Sequence, residues 1–533
     1  MTGTEIPQAM IEGATAPADW LLVAPMAVLL IGAAALLMAR GRTSWQPALA
    51  MLALAGVVGM EAAVLARVLE TGPFAMTMGN WLPPFGISFV ADTLGVIFAL
   101  AAASVGLVTV LYMAMDPDEA EGKYALVLLL LAGVTGAFLT GDFFNLYVWF
   151  EVMLVASFGL LVVGGTRMQF DGAVKYGFPN YIATALFLLA LGITHALLGT
   201  LNMADIVRRV PEANPVGVAG VVGLLLLAFG TKAAAFPVNA WLPASYHTPH
   251  PAVSALFAGL LTKVGIYALM RAMLFLFPQG AEAFTPVVLA LAVTTLVIAP
   301  LGAIAETNLR RAIGFLVIGG IGVVLAGIAL PGPAGATGAS FYILHAMLTM
   351  TALYLVAGLI ERMTGARDTR QMGGIYGANS WLSVMFFVLV LAAAGVPPFL
   401  GFWPKLMLIE AGIGALGAEG VSWSAAVLVA ALVVNAWLTL IAGARLWAHV
   451  FWRNAPEGPG SEHGTVVLVP LSLRQRLTGV LASVVLVGII AAAGLWPNAL
   501  FESLGRGAGD MLNPERYIAA IGLPPLPEME VAP

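Results

Sequence analysis

Residues 230–243 read GTKAAAFPVNAWLP, and this stretch decides how the chain folds. It sets Lys232 in an otherwise apolar run reaching back to residue 216, five residues ahead of Pro237. A lysine at the centre of a membrane-spanning helix costs roughly 2.5–3.5 kcal/mol even on the lenient insertion scale. A proline in the same span removes a backbone hydrogen bond and frees carbonyls that only protein or water can satisfy. A broken, lysine-bearing span therefore belongs in the interior of a helix bundle, lining a polar path. The signature recurs at residues 395–406, GVPPFLGFWPKL, where Lys405 follows Pro397, Pro398 and Pro404.

The surrounding chain has the composition such helices need. Of its 533 residues, 60% are hydrophobic and 10% charged, with a mean hydropathy of +0.96. A soluble domain carries about a quarter charged residues because its surface faces water. The formal charge of −5 offers no basic patch, which excludes nucleic acid as a partner. The absence of cysteine excludes disulfides, thiolate metal sites and cysteine-ligated iron–sulfur clusters.

A spanning criterion of about 20 apolar residues predicts an all-α membrane protein with about fourteen transmembrane helices. They fall near 20–40, 47–68, 87–113, 124–140, 143–164, 175–200, 216–237, 251–277, 285–304, 312–330, 338–360, 381–413, 424–452 and 477–500. The residues before position 20 are polar and acidic, without the basic start of a signal peptide, so the first segment is expected to be a retained anchor. Interrupted helices 7 and 12 stand five segments apart, the pattern of an inverted repeat. The expected organisation is a polar N-terminus (1–19), helices 1–3 (20–113), one five-helix bundle (124–277, spans 4–8) and a second (285–452, spans 9–13). A cytoplasmic loop (453–476), a last helix (477–500) and a polar tail (501–533) follow.

Basic residues orient this arrangement. The loops opposite the N-terminus hold thirteen of the 23, from Arg40 and Arg42 through Lys123, Arg167, Lys175, Arg310 and Arg311 to Arg474 and Arg476. The N-terminal side holds six, Arg271 among them. The positive-inside rule then puts both termini on the non-cytoplasmic face. Four basic residues remain within spans: Lys232, Lys263, Lys405 and Arg445. Arg445, near a helix end, is explained by snorkelling. The three lysines point to function.

Glu151, deep in the fifth span with no other acid nearby, is their natural counter-charge. A carboxylate close to Lys232 raises its proton affinity and desolvation lowers it, so moving the partner switches the lysine. Asp142 at a membrane edge reads as a structural acid, and Glu61 and Asp92 read either as hydrogen-bonded structural acids or as contacts to a partner subunit or the channel. His247 and His250 flank the prolines of YHTPHP; without a carboxylate or thiolate they make no metal site, and they are candidates for proton access or loop packing. No cofactor is expected, and there is no P-loop, HExxH or GxSxG motif.

The stretch TGDFFNLYVWFEVMLVAS (140–157) resembles the fifth-span signature of the D subunit of Mrp-type multisubunit monovalent cation/proton antiporters. GTLNMADI (199–206), the run from Lys232 to Arg271, YILHAM (342–347) and PPFLGFWPKL (397–406) resemble the same family in order and spacing. The wider group includes antiporter-like subunits of respiratory complex I and membrane hydrogenases. The resemblance implies proton movement along a hydrated axis: Glu151 paired with Lys232, Lys263 as central relay, His345 leading to the second half, and Lys405 as terminal lysine. It also implies a bacterial inner-membrane location, lipid, other Mrp subunits as partners, and protons and monovalent cations as cargo.

The second half departs from that pattern. The tenth span, RRAIGFLVIGGIGVVLAG, is apolar where relatives carry a histidine or serine and a glutamine, and Met350 stands where they carry a lysine. Water, or a detour through His195 in the sixth span, is then needed between Lys263 and Lys405. The alternative functions are a proton-pumping subunit of a complex I-like or hydrogenase-type redox complex, and a membrane enzyme or scaffold.

Overall fold

The computed structural model describes residues 16–39, 43–116, 121–330, 332–417, 423–454 and 468–526. Arg40, Arg42, most of the expected N-terminal segment, residues 455–467 of the expected loop and the tail beyond 526 lie outside these. The helices are α1 (Ala24–Met38), α2 (Gln46–Thr71), α3 (Thr93–Met113), α4 (Lys123–Leu139), α5 (Phe143–Val162) and α6 (Arg167–Leu198). Next come α7 (Pro215–Ala233), α8 (Pro251–Leu276), α9 (Thr285–Ala305), α10 (Leu309–Ala329) and α11 (Pro333–Thr364). The chain continues with α12 (Ser380–Ala394), α13 (Phe402–Gly417), α14 (Trp423–Trp452) and α15 (Leu473–Leu495), then α16 (Asn498–Leu512) and α17 (Glu515–Ile521). Among the described residues, 11 helices are long and apolar enough to cross a membrane; α1, α4 and α12 are shorter apolar helices. The expected twelfth segment is two helices, α12 and α13, separated by residues 395–401.

Helices α8 and α11 run through the middle, buried by protein along the whole of their most apolar stretch. Helices α2, α6, α9, α14 and α15 leave much of their surface uncovered, as expected where the neighbour is hydrocarbon. The most deeply covered helices are thus the ones that carry Lys263 and His345.

Two groups of helices repeat the same local design. Helices α6 and α11 are each 32 residues long and end at a glycine in left-handed conformation, Gly199 (φ 70°) and Gly365 (φ 67°). Before α5, Asp142 caps the helix by accepting the Asn145 N–H at 2.7 Å; before α10, Asn308 accepts the Arg311 N–H at 3.1 Å. The Asp142 backbone pairs with Asn202 after α6, and Asn308 pairs in the same way with Asp368 after α11. A cap paired to a cap across the same two-helix interval is a signal of internal duplication that residue identities hide.

The all-α fold class holds, with one addition: a short two-stranded antiparallel hairpin, β1 (Phe74–Thr77) with β2 (Ser88–Ala91), lies between α2 and α3. Several finer expectations give way. The region after residue 501 is not a simple tail: α16 packs on α11 and α3, and α17 on β1, as far as the described residues go. Arg167 and Lys175 fall within α6. Lys123, Arg271 and Arg310, counted above as loop residues, are buried. Arg271 pairs with Asp92 and donates to the Tyr267 hydroxyl at 2.9 Å. Arg310 reaches Glu361 at 2.8 Å and the Pro249 carbonyl at 2.6 Å. Sequence position marks these cations as interfacial, whereas partners distant in sequence draw them inside. Asp92 and Asp142 do act as helix caps, and Thr135 donates to Glu61 at 3.4 Å.

Candidate functional site

Helix α7 stops one residue after Lys232. Ala234 takes a left-handed conformation (φ 60°), and its N–H and that of Ala235 return to carbonyls of the last turn. The Trp241 indole donates to the Thr231 carbonyl at 3.0 Å, and the Phe236 N–H donates to Thr295 of α9 at 3.2 Å. The carbonyls freed by the break are therefore partly satisfied by protein, as membrane burial requires. Pro237 lies in the connection to the short helix Trp241–Ser245 rather than inside a helix.

Lys232 points into the first group of helices. Its Nζ donates to Thr184 of α6 at 2.8 Å and sits 4.8 Å from the Phe150 ring of α5. A cavity of about 20 Å³ adjoins it, lined by Tyr176, Asn180 and Trp241 among others. That is room for about one water molecule among polar partners. Glu151 is next to Phe150 on α5 and is close enough to act on Lys232 electrostatically. Their expected ion pair is not formed: among the described residues Glu151 Oε1 is buried without a hydrogen-bond partner, and Lys232 is held by a neutral hydroxyl.

Lys263, 1% exposed, lies on α8. It donates to the Ala258 carbonyl at 2.6 Å and to Thr262 at 3.2 Å. Ala258 belongs to a π-helical turn, Phe257–Leu261, whose wider spacing loosens the usual carbonyl pairing. Two glycines set its surroundings. A Cβ on Gly265 would stand 2.9 Å from the Ala233 nitrogen, so α8 touches the backbone of the first break. A Cβ on Gly259 would meet the Thr351 hydroxyl at 2.1 Å, so α8 is equally close to α11.

On α11, His345 is fully buried, with Nδ1 3.2 Å from Thr349 and Nε2 without a partner among the described residues. Its ring packs against Gly401 in the second break. Lys263 and Lys405 both lie within electrostatic range of it. Lys405, at the start of α13, donates to the Ala394 carbonyl at 2.8 Å, and to Ala393 and Asn435 Oδ1 at 3.3 Å each. It therefore caps the end of α12, where the peptide dipoles present negative charge. Pro397 and Pro398 lie in the link between α12 and α13.

The structure gathers Glu151 and Lys232 around one break, sets Lys263 against it, and places His345 beside the second with Lys405. It does not bring in His195, whose side chain is exposed in the last turn of α6. The polar gap between Lys263 and Lys405 is partly filled by Ser340, Thr349 and Thr351 of α11, all fully buried. Sequence reading missed Thr184 and Asn435; each is a polar residue in an apolar run, which was the available signal. Arg445 donates to the Glu306 carbonyl at 3.2 Å and to Ile304, binding α14 to the end of α9 rather than snorkelling.

His247 and His250 lie between the first break and α8. The His247 Nδ1 is 2.9 Å from the Pro243 carbonyl, which can only accept, so Nδ1 carries the proton. His250 Nδ1 accepts the Ala252 N–H at 3.2 Å. Burial pushes His247 down to about 4 and His250 down to about 3, with neighbouring cations adding to it. Both rings are neutral at pH 7. His250 borders a cavity of about 370 Å³ shared with Lys123, Gln169, Arg310 and Glu361.

Residues 140–439 match the model of the NADH:quinone oxidoreductase/Mrp antiporter transmembrane family. The chain is 35% identical to the D subunit of the Na(+)/H(+) antiporter of Bacillus subtilis (strain 168), covering 85% of this chain and 89% of that one. It is 33% identical to the D subunit of the Na(+)/H(+) antiporter of Alkalihalophilus pseudofirmus, over 94% and 99%. A chain in the structure of the Mrp complex from Dietzia sp. DQ12-45-1b superposes with a TM-score of 0.86 at 29% identity, covering 95% of this chain and 100% of that one. With two broken helices, three buried lysines and these relatives together, the chain belongs to the NADH:quinone oxidoreductase/Mrp antiporter transmembrane family, among its antiporter D subunits.

Proposed function

We propose that this chain is the proton-translocating subunit of a multisubunit Na+(K+)/H+ antiporter. It sits as a multi-pass protein in the bacterial inner membrane beside the other Mrp-type subunits, with both termini non-cytoplasmic. It is a transporter subunit, not an enzyme in its own right. Protons pass over Glu151, Lys232, Lys263, His345 and Lys405, and His247 and His250 line the access route. Residues 124–277 and 285–452 are its two repeats. Protons are assigned to this chain and the cation path to the assembly.

The observation that carries this reading is that, among the described residues, buried Lys232 has one hydrogen bond, to Thr184, and Glu151 stands near it with Oε1 unpartnered. A buried ammonium with one neutral hydrogen bond is poorly compensated. Bringing Glu151 within contact would favour the charged lysine, and withdrawing it would release a proton toward Lys263 across the Gly265 contact. Such a switch moves protons without a redox group.

The test is cation-driven proton movement in everted vesicles from cells expressing the complete set of subunits. Glu151→Gln and Lys232→Ala are each expected to lower antiport at least tenfold, with the complex still assembled. Normal antiport in either variant would overturn the switch.

A further inference from the structure

Between α12 and α15 lies an open groove of about 670 Å³. Its walls are aliphatic, with Val384, Val388, Val480, Val484, Val487 and Ala491 lining them. One end is polar, where Arg476 meets Asn379 and Ser380 beside Trp381, which is 77% exposed. Arg476 donates through Nε to the Leu471 carbonyl at 3.1 Å, which leaves the rest of its guanidinium fork turned to other partners. From Arg476 to Ala491 the α15 wall runs roughly 22 Å at about 1.5 Å per residue. That is the depth of one bilayer leaflet, about 15 Å of hydrocarbon, plus its headgroup layer.

We propose that this groove is a binding site for an anionic phospholipid, with the acyl chains along α12 and α15 and the phosphate on Arg476. Two features favour lipid over a neighbouring subunit's helix. Arg476 stands at the end of an apolar trough, the charge distribution of a headgroup above its tails, and an exposed tryptophan beside it suits the interfacial layer. Another large open groove of the protein, about 1040 Å³, carries Glu282 and Glu410 and no lysine or arginine among its described lining residues, and so repels the same ligand. The lipid also has a place to act. Phe399 lines the groove and belongs to the second break, and Trp403, four residues on in α13, donates to the Gly494 carbonyl of α15 at 2.8 Å. A tail seated here supports the segment that holds Lys405.

The assembled complex, exchanged into nanodiscs of mixed phosphatidylglycerol and phosphatidylcholine, tests this by mass spectrometry of retained lipid. The wild type is expected to enrich phosphatidylglycerol roughly fivefold, the weight of one arginine near an anionic surface. Arg476→Gln should lose that preference yet keep a lipid. Gly488→Trp should lose the lipid, because a side chain there enters open space within the groove. Retention unchanged by both variants overturns the proposal. In native membranes, a photoreactive residue at position 484 should yield a phospholipid adduct; a peptide from another subunit, or no adduct, overturns it as well.

Discussion

The two broken helices carry the same ingredients in opposite arrangements. In the first, Lys232 precedes the break, and its amino group leaves its own helix for the Thr184 hydroxyl, the Phe150 ring and a water-sized cavity. In the second, Lys405 follows the break and turns back onto the two last carbonyls of α12, with Asn435 as a third acceptor. The first lysine has one neutral hydrogen bond and an unpaired carboxylate in range; the second is built into the end of a helix. Asn435 itself donates to the Leu296 carbonyl at 2.8 Å, so the second site is also fastened to α9. The difference teaches that proline and lysine in one span define an interior position, while the hydrogen bonds around the lysine decide whether it is free to switch.

The largest effect that can break this contrast comes from removing each amino group. Lys232→Ala and Lys405→Ala are both expected to lower antiport at least tenfold. Only Lys405→Ala should also destabilise the protein, because it strips a donor from two buried carbonyls at about 1–3 kcal/mol per unsatisfied group. Lys232→Ala removes a poorly compensated buried cation together with its one neutral hydrogen bond. Melting of the detergent-solubilised complex, followed by size-exclusion fluorescence, separates them: a drop of a few degrees for Lys405→Ala and little change for Lys232→Ala. Equal drops would erase the distinction between the two breaks.

Much of this was legible in the sequence because burying charge in hydrocarbon is costly, so Lys232, Lys263 and Lys405 stand out from their neighbours. The breaks were legible for the same reason, since Pro237, Pro397 and Pro398 cannot continue a helix. What remained hidden was pairing. Nothing local says that Thr184, 48 residues away, receives Lys232, or that Arg271, near the end of a span, turns inward to Asp92. Polar residues on separate helices find each other only through packing, and a single apolar run gives no register for that. The hairpin of β1 and β2 was missed because its two short strands merge with the apolar ends of adjacent spans. His195 shows the converse: its ring is suited to proton relay, and its position in α6 leaves it exposed, away from the lysines.

A smaller effect lies in the backbone that ends each broken helix. In the second break the left-handed position is Gly395 (φ 85°); in the first it is Ala234 (φ 60°). Left-handed conformation costs a residue with a Cβ roughly 1–2 kcal/mol, and glycine avoids it. Ala234→Gly should therefore stabilise the protein, by up to about 1 kcal/mol once the greater freedom of the unfolded chain is counted. Gly395→Ala should destabilise it by more than that, because the new Cβ would lie 2.8 Å from Lys405 Cδ and displace the cap as well as strain the turn. Opposite signs in the two melting temperatures are the expected result, and a destabilising Ala234→Gly would show that the first break depends on its alanine methyl group.

The smallest effect is a dependence on acidity at the first break. His247 and His250 follow it directly, and burial holds their imidazoles at about 4 and about 3 against an ordinary value near 6.5. The cations Arg310, Arg311 and Arg367 act in the same direction on His247, and Lys123, Arg310 and Arg362 on His250. These two imidazoles thus bind fewer protons in the folded protein than in the unfolded chain below pH 6.5. Their contribution to stability is full above that value and falls as the pH drops through 6.5 toward 4 and then 3. Melting temperature should decline from pH 7.5 to pH 5, and His247→Asn, which keeps a donor for the Pro243 carbonyl without titrating, should flatten the decline. The link between α12 and α13 contains no histidine of its own, and the ring that packs against its Gly401 comes from His345 of α11, which His247→Asn leaves untouched. A slope that His247→Asn leaves unchanged would move the acid sensitivity away from the first break and remove this last difference between the two.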